Sequence, residues 1–466
     1  MFNIKRIASR FVCATLATCL TICSITVSTT SVLADDKKEK VSWPKGPDLY
    51  GTAACLIEAS TGTVLYEKNP HDKMYPASIT KILTALVTIE NSGLDEDVTF
   101  SEDCIKSLSY DDANMAMEPG EILSVEDCLY GLMLKSANEV ATALAEHVSG
   151  STEEFAKLMN ERAKQAGATD SHFVNANGLH NDDHYITAYD MCMITRAAIS
   201  NPVFLNISGT TSYTIGASNY KKPFDVYNRH KMLFKENGFY YDGVLGGKTG
   251  FTDQAGTTLV TYARRNGMTL ISVVLHSNGY NVYNDTKLLF DYGFDNFNLV
   301  NVANNETKFL HDDVNFTDNL SSPFGAIDST SLYVDTGSNV VLPKDIDWKK
   351  VSSSFSYDKN NQTNEDGNYV IATINYSLGD KDIGTADVLV DKVSLSDDSS
   401  SSSNHTVSQK NSNKFKIPSI KINAKIVKSI IIIILIIGII TAIILLIRRK
   451  QRQLQEIRAR KRRRNY

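Results

Sequence analysis

The chain has 466 residues, 42% of them hydrophobic, with 48 Lys/Arg against 53 Asp/Glu and a formal net charge of −5. That length and apolar content suffice for a full hydrophobic core, which excludes a disordered chain and a small disulfide-stapled scaffold. The seven cysteines form no Cys-x-x-Cys pair, and no His/Cys/Asp/Glu run has metal-site spacing. His180 and His184 stand four apart, but Asn181, Asp182 and Asp183 between them read as a loop.

At the N-terminus, Lys5, Arg6 and Arg10 precede an apolar run from Phe11 to about Val27 and then Val32-Leu33-Ala34, with no acidic residue before Asp35. This is the pattern of a secretory signal peptide, residues 1–34, cut after Ala34. Residues 35–49 form a charged lead-in, and residues 50–293 carry both strand and helix patterns. Residues 52–59 and 63–67 are predicted as a hairpin around Ser60-Thr61-Gly62. A helix is expected to begin at Ser78. Ser124 with Asp127 reads as a capping box for a helix ending near Lys135, and residues 138–148 as the next helix. Ser151 with Glu154 opens a helix that closes at Gly167, and Thr187 with Asp190 opens one more. Residues 258–264 and 269–276 form a second hairpin turned by Arg265-Asn266-Gly267. Strands at both ends with helices between them predict an α+β fold, one antiparallel sheet with a helical subdomain beside it.

Residues 294–395 lose the helical period. The runs 331–335, 369–376 and 386–390 alternate as short strands and predict a small all-β domain. Residues 396–428 read as a flexible linker, rich in Ser, Asp and Asn at its start. Residues 429–447 are nineteen uncharged residues, enough for one transmembrane helix across about 30 Å of hydrocarbon. Residues 448–466 hold ten Lys/Arg and one Glu. Such a tail stays cytoplasmic, so the expectation is a single-pass cell-membrane protein with its body outside and its helix in the lipid bilayer. On composition alone the tail resembles a nucleic-acid patch. The body between signal and tail, however, has 35 basic against 52 acidic residues, a balance near −17, which argues against nucleic acid as a partner. Its cysteines, Cys55, Cys104, Cys128 and Cys192, read as small buried apolar residues.

Three strings carry the chemistry: Ser78-Ile79-Thr80-Lys81, Ser136-Ala137-Asn138 and Lys248-Thr249-Gly250. Ser-x-x-Lys alone is weak, recurring at Ser218 with Lys221 and at Ser356 with Lys359, and Ser-x-Asn recurs at Ser402 with Asn404. The order of all three is the signal. Ser78 and Lys81 are one helical turn apart and share a face. Pro76 places Ser78 in the first turn, where free N–H groups favour negative charge. Burial near a second cation would leave Lys81 unprotonated and able to act as a base. Ser136 and Asn138 fall at a helix break, where the hydroxyl could pass a proton and the amide could orient Lys81 or hold a carbonyl. Gly246, Gly247 and Gly250 permit close approach of an extended ligand to Lys248 and Thr249, which offer a charge and a hydroxyl to a carboxylate. The spacing before Lys248 is not that of a phosphate loop, and strands follow it.

The trio resembles the serine-type D-alanyl-D-alanine carboxypeptidases, the low-molecular-mass penicillin-binding proteins. The association of these motifs with penicillin-binding proteins and class A β-lactamases is well established. Pro76 to Lys81, Phe173 to Leu179, Thr187 to Asp190 and Gly247 to Gly256 are similar to further blocks of that family. The resemblance implies a β-lactamase/transpeptidase-like domain that trims peptidoglycan stem peptides ending in D-Ala-D-Ala. Ser78 would attack the carbonyl between the two D-alanines, with Lys81 as general base and Ser136 relaying a proton to the leaving amine. Asn138, Lys248, Thr249 and Gly250 would bind substrate. Asn228-Arg229-His230 resembles the segment carrying a second carboxylate-binding arginine, here Arg229. The backbone N–H groups of Ser78 and Phe251 would form the oxyanion hole. Water would release the acyl-enzyme, β-lactam antibiotics would trap Ser78, and no metal or other cofactor is implied. Ala137 stands where a Ser-Asp-Asn form has its acid, and the spanning helix replaces the family's amphipathic anchor. The alternatives are a class A β-lactamase, which needs a Glu-x-x-x-Asn loop absent between Asn138 and Lys248, and a catalytically silent wall-binding protein. The intact Ser78, Lys81 and Lys248 argue against the second.

Overall fold

Continuous burial along its central strands marks the centre of the molecule, a five-stranded antiparallel sheet covered on both faces. The computed structural model describes residues 43–106, 108–109, 111–306, 332–357, 363–364 and 366–390. The signal peptide, the linker, residues 429–447 and the basic tail lie outside the described residues, as do Ser402, Asn404 and Lys359. Among the described residues no helix is long and apolar enough to cross a membrane.

The hairpin β1 (Ala53–Glu58) and β2 (Val64–Lys68) comes first. A 3-10 turn, Ala77–Thr80, then runs straight into α1 (Lys81–Asn91). The short strand β3 (Asp97–Thr99), α2 (Glu102–Lys106), and β4 (Ile122–Ser124) follow. Next come α3 (Val125–Tyr130), a π-helical turn at Gly131–Lys135, α4 (Asn138–Ser149) and α5 (Thr152–Gln165). The helices α6 (Ala188–Ile199) and α7 (Pro202–Gly209) lead to the small hairpin of β5 (Ser212–Ile215) and β6 (Phe224–Tyr227). The chain returns to the main sheet with β7 (Val244–Thr252), β8 (Gly256–Arg265) and β9 (Met268–Ser277), and then forms α8 (Asn281–Asn296). The sheet order is β2-β1-β9-β8-β7, closed by pairing of Ala53 to Glu58 with Leu275 to Leu270.

Alternate residues of each central strand serve different cores. Ala53, Cys55 and Ile57 join Ile271, Val273 and Leu275 in a cluster with α1, α4 and α6. Ala54 and Leu56 join Leu270, Val274 and Leu259 in a second cluster beneath α8, which supplies Val282, Leu289, Phe290 and Phe294. Both hairpin turns follow the sequence expectation. Asn266 (φ 50°) and Gly267 (φ 82°) join the paired residues Arg265 and Met268, a two-residue loop of the kind that matches strand twist. Ser124, Ser151 and Thr187 each accept an N–H from the residue three further on, as N-caps. The acid at that third position is used elsewhere for two of them: Asp127 accepts from Gly216 and Asp190 from Asp170 and Ser171.

The remaining strands pack against the second core. β10 (Phe297–Asn301) pairs with β12 (Asn339–Pro343). The strand β11 (Leu332–Val334) lies in a four-stranded sheet with β13 (Ser352–Tyr357), β14 (Tyr369–Leu378) and β15 (Lys381–Val390), in the order β11-β15-β14-β13. In β12, Val341 faces the second cluster while Val340 and Leu342 face a third, formed with Ile374, Tyr376 and Val388. Trp43 borders both clusters, stacks against Phe297 at 5.0 Å and donates its indole N–H to Leu65 O at 2.9 Å.

Two local expectations change. Ser78 lies in the 3-10 turn before α1, and Ala77 adopts a left-handed φ of 52°. Tertiary contacts impose this, because the Pro76 carbonyl accepts from Thr258 Oγ1 at 2.8 Å. The helix expected to reach Lys135 turns from α to π at Gly131 and ends with Ser136 left-handed at φ 65°. The Lys248-Thr249-Gly250 string is the middle of edge strand β7.

Candidate active site

The strained Ala77 delivers Ser78 half-buried as the second residue of the 3-10 turn, with Lys81 fully buried as the first residue of α1. Lys81 Nζ lies 3.0 Å from Ser78 Oγ, 2.7 Å from Asn138 Oδ1 and 2.5 Å from the Asn177 carbonyl oxygen. Asn138 starts α4 directly after the left-handed Ser136, so the helix break is what turns both side chains into the cleft. The Asn177 carbonyl arrives on the loop before Gly178. A Cβ on Gly178 would stand 2.0 Å from the Ala77 carbonyl oxygen, and its φ is 83°. Only glycine lets that loop press against the serine turn.

Three oxygens surround the Lys81 amine, so its ammonium form can donate to Ser78 Oγ, Asn138 Oδ1 and the Asn177 carbonyl together. Once it has lost a proton, its two remaining N–H groups suffice for the Asn138 and Asn177 oxygens, and the lone pair is free to take the Ser78 hydroxyl proton. Burial pushes the Lys81 pKa down to about 7, with Arg229 acting in the same direction and Glu139 and Asp112 opposing it. The sequence expectation of an unprotonated lysine, depressed by burial and a neighbouring cation, therefore has a physical basis here.

Across the cleft, β7 runs against the serine turn. A Cβ on Gly250 would lie 2.9 Å from Ser78 N and 3.0 Å from Pro76 O. Lys248 is buried and donates to Ser136 Oγ at 2.9 Å and to its neighbour's carbonyl, Thr249 O, at 2.8 Å. Ser136 is thus bonded to Lys248, a pairing that the sequence reading did not make. Having accepted from Lys248, it keeps its own O–H to donate. Burial, then the charges of Lys81 and Arg229, push the Lys248 pKa well below the usual ammonium range. Thr249 is partly exposed along the same edge strand, and the Phe251 side chain stands exposed beside it.

Arg229 follows β6 and, among the described residues, has no hydrogen bond or ion pair. Burial lowers its pKa. Its flanks are fixed: Asn228 donates to Ser208 O and Thr210 O, and buried His230 bonds Thr261 Oγ1 at 2.9 Å. All nine residues named from sequence thus line or adjoin one cleft. The cleft holds three basic side chains with no acid paired to any of them by a salt bridge, a ready site for an anionic group.

Sequence reasoning did not assign roles to the Asn177 carbonyl, Thr258 or Glu139. Asn177 lies in a block whose resemblance was noted without a role. A main-chain carbonyl leaves no residue-type signature, and Thr258 acts on Pro76 from a distant strand. Glu139 is a lone acid in an otherwise apolar helix start. The two spaced histidines serve different ends. His184 is buried against Thr80 Oγ1 at 3.0 Å, while His180 stacks edge-on against Tyr75 near the surface. Cys55, Cys104, Cys128 and Cys192 are buried, and no disulfide joins cysteines among the described residues.

A family model described as D-alanyl-D-alanine carboxypeptidase matches residues 38–279. The chain belongs to the D-alanyl-D-alanine carboxypeptidase family. It is 31% identical over 303 residues to D-alanyl-D-alanine carboxypeptidase DacC of Escherichia coli (strain K12), covering 63% of this chain and 73% of that one. It is 35% identical over 226 residues to D-alanyl-D-alanine carboxypeptidase DacF of Bacillus subtilis (strain 168), covering 48% of this chain and only 56% of the relative. The crystal structure of penicillin binding protein 6B from Escherichia coli matches with a TM-score of 0.54 over 74% of this chain and 96% of that one. At 23% identity it shows the shared fold. In this member of the family, then, two hydrogen-bonded pairs, Lys81 with Ser78 and Lys248 with Ser136, meet at the cleft.

Proposed function

We propose that this carboxypeptidase removes the terminal D-Ala from peptidoglycan stem pentapeptides through an acyl-enzyme on Ser78. The observation that carries the reading is the desolvated Lys81 amine, held by the Asn138 and Asn177 oxygens with its Nζ 3.0 Å from Ser78 Oγ. Lys81 takes the Ser78 proton as Oγ attacks the carbonyl between the two D-alanines. The oxyanion is received by the N–H groups of Ser78 and Phe251, which the approach of β7 at Gly250 brings close together. The terminal carboxylate lies against Thr249, Lys248 and Arg229 and supplies the anion that this cationic wall lacks. Ser136 passes its proton to the departing amine and recovers one through Lys248 or Lys81. Water, activated by the same Lys81 amine, then hydrolyses the ester. β-Lactams enter the same path and remain on Ser78.

The sequence supports an exported body, outside the cell, held by residues 429–447 in the membrane with the basic tail in the cytoplasm. This anchor would keep the site beside its wall substrate. The test is labelling with a fluorescent penam followed by peptide mapping, alongside release of D-Ala from a D-Ala-D-Ala peptide. A single adduct on Ser78, absent in Ser78→Ala together with the activity, is expected. Parental turnover by Ser78→Ala would end the serine mechanism.

A further inference from the structure

Asn138, the residue that fixes Lys81, is itself held by its neighbours. Its N–H donates to Ala113 O at 2.8 Å. The next residue, Glu139, is fully buried and takes the Met115 N–H on Oε1 at 2.5 Å. Two consecutive residues of the first turn of α4 therefore clamp the 113–115 segment. The other carboxyl oxygen, Glu139 Oε2, is buried with no hydrogen-bond partner. A clamp needs one acceptor oxygen, which a glutamine amide would supply equally. An orphaned carboxyl oxygen in a buried place is costly, so the clamp by itself does not account for an acid here.

We propose that Glu139 is a positioning residue for acylation: it locks the Asn138 amide against Lys81 and supplies the nearby negative charge that sets how readily Lys81 takes and returns a proton. The inference rests on the Ser78/Lys81 reading above and deepens it. The charged groups acting on Lys81 from the surrounding elements are Glu139 on α4, Asp112 on the 113–115 side, Arg229 after β6, and Lys248 on β7. Asp112 spends one carboxylate oxygen on the Ser109 N–H at 2.8 Å. His184 also senses Lys81 but is kept neutral by burial, its pKa near 3. Glu139 in turn faces the buried thiols of Cys104 and Cys128, which burial chiefly keeps protonated. Burial raises the Glu139 pKa, while the N–H groups of Met115, of Glu139 itself and of Met117, together with Lys81, pull it back. Glu139 is thus the fully buried acid among these groups.

The experiment compares acylation of the full-length protein by a labelled penam across pH for the parent, Glu139→Gln and Glu139→Asp. The position of a pH profile does not depend on how much protein is folded, so partial misfolding leaves the readout intact. The parent should lose rate as pH falls through about 7, where Lys81 becomes protonated. Glu139→Gln removes the charge that favours protonated Lys81, so its acid limb should move to lower pH by about one unit. Glu139→Asp keeps the charge and should stay near the parent limb. An unmoved limb in Glu139→Gln, or an equal shift in both variants, would overturn the assignment and leave a purely structural clamp. Failure of the parent to acquire label at all would instead strike the serine reading itself.

Discussion

The turn that carries Ser78 depends on glycine at Gly178 and Gly250, where a side chain would collide with it. Gly178 holds φ 83° and its missing Cβ would lie 2.0 Å from Ala77 O, whereas Gly150 holds φ 75° with nothing within 4 Å of the same position. The two have similar backbone strain and very different neighbours. Alanine at Gly150 should cost about 1 kcal/mol of stability, the penalty of the left-handed conformation, and leave turnover intact. Alanine at Gly178 carries that penalty and also displaces the serine turn. A shift approaching 1 Å in a reacting group lowers kcat/KM by about 100-fold. Steady-state kinetics and thermal melts on the two variants separate the effects, and equal losses of activity in both would contradict the account. Neither role is visible in sequence, because Gly178 and Ala77 are a hundred residues apart.

The segment between α2 and α3 shows how elements far apart in sequence support the site. Its end is tied down by Glu121, fully buried, which pairs with Lys221 at 2.8 Å and accepts from Ser218 Oγ at 2.6 Å. Ser218 also accepts the N–H groups of Tyr220 and Lys221, and Lys221 reaches Ala116 O. The second Ser-x-x-Lys string is therefore a clamp between the β5–β6 connection and the segment that carries Ala113 and Met115. The same residue types meet a desolvated cleft at Ser78 and a structural clamp at Ser218, which is why only the first pair is a candidate for chemistry. The hydrogen bonds and Lys221 hold the Glu121 pKa below the usual range despite its burial. Lys221→Ala strands that carboxylate and should lower stability by about 3 kcal/mol. Lys221→Ala combined with Glu121→Gln should recover part of the loss in urea unfolding. Additive losses would show that the two residues are not coupled.

The all-β part is joined to the sheet by apolar packing more than by charge. Trp43 bridges the second and third clusters, while the Lys381–Glu67 ion pair at 3.1 Å crosses the same junction with both side chains over a third exposed. Loss of a large aromatic from such a place costs about 3 to 5 kcal/mol, and an exposed ion pair contributes less than about 1 kcal/mol. Trp43→Ala should therefore destabilise the protein strongly and Lys381→Ala hardly at all, read by denaturant midpoint. A larger effect from Lys381 would mean that electrostatics holds the junction.

Periodicity, turn chemistry and motif order were sufficient to reveal the antiparallel sheet, both hairpin turns, the three N-caps and the serine, lysine and Lys-Thr-Gly strings. These are local: they depend on alternation along a strand, on which residue tolerates a positive φ, and on hydroxyl groups that cap neighbouring N–H groups. The tertiary structure alone decided the 3-10 turn under Ser78, the π turn before Ser136, the pairing of Ser136 with Lys248, and the contribution of Asn177 and Glu139. Each arises from atoms brought together across dozens of residues. The proton affinity of a lysine is set by what surrounds it after folding, by lost water, two carbonyl oxygens and neighbouring charges, and no pattern along the chain encodes that sum.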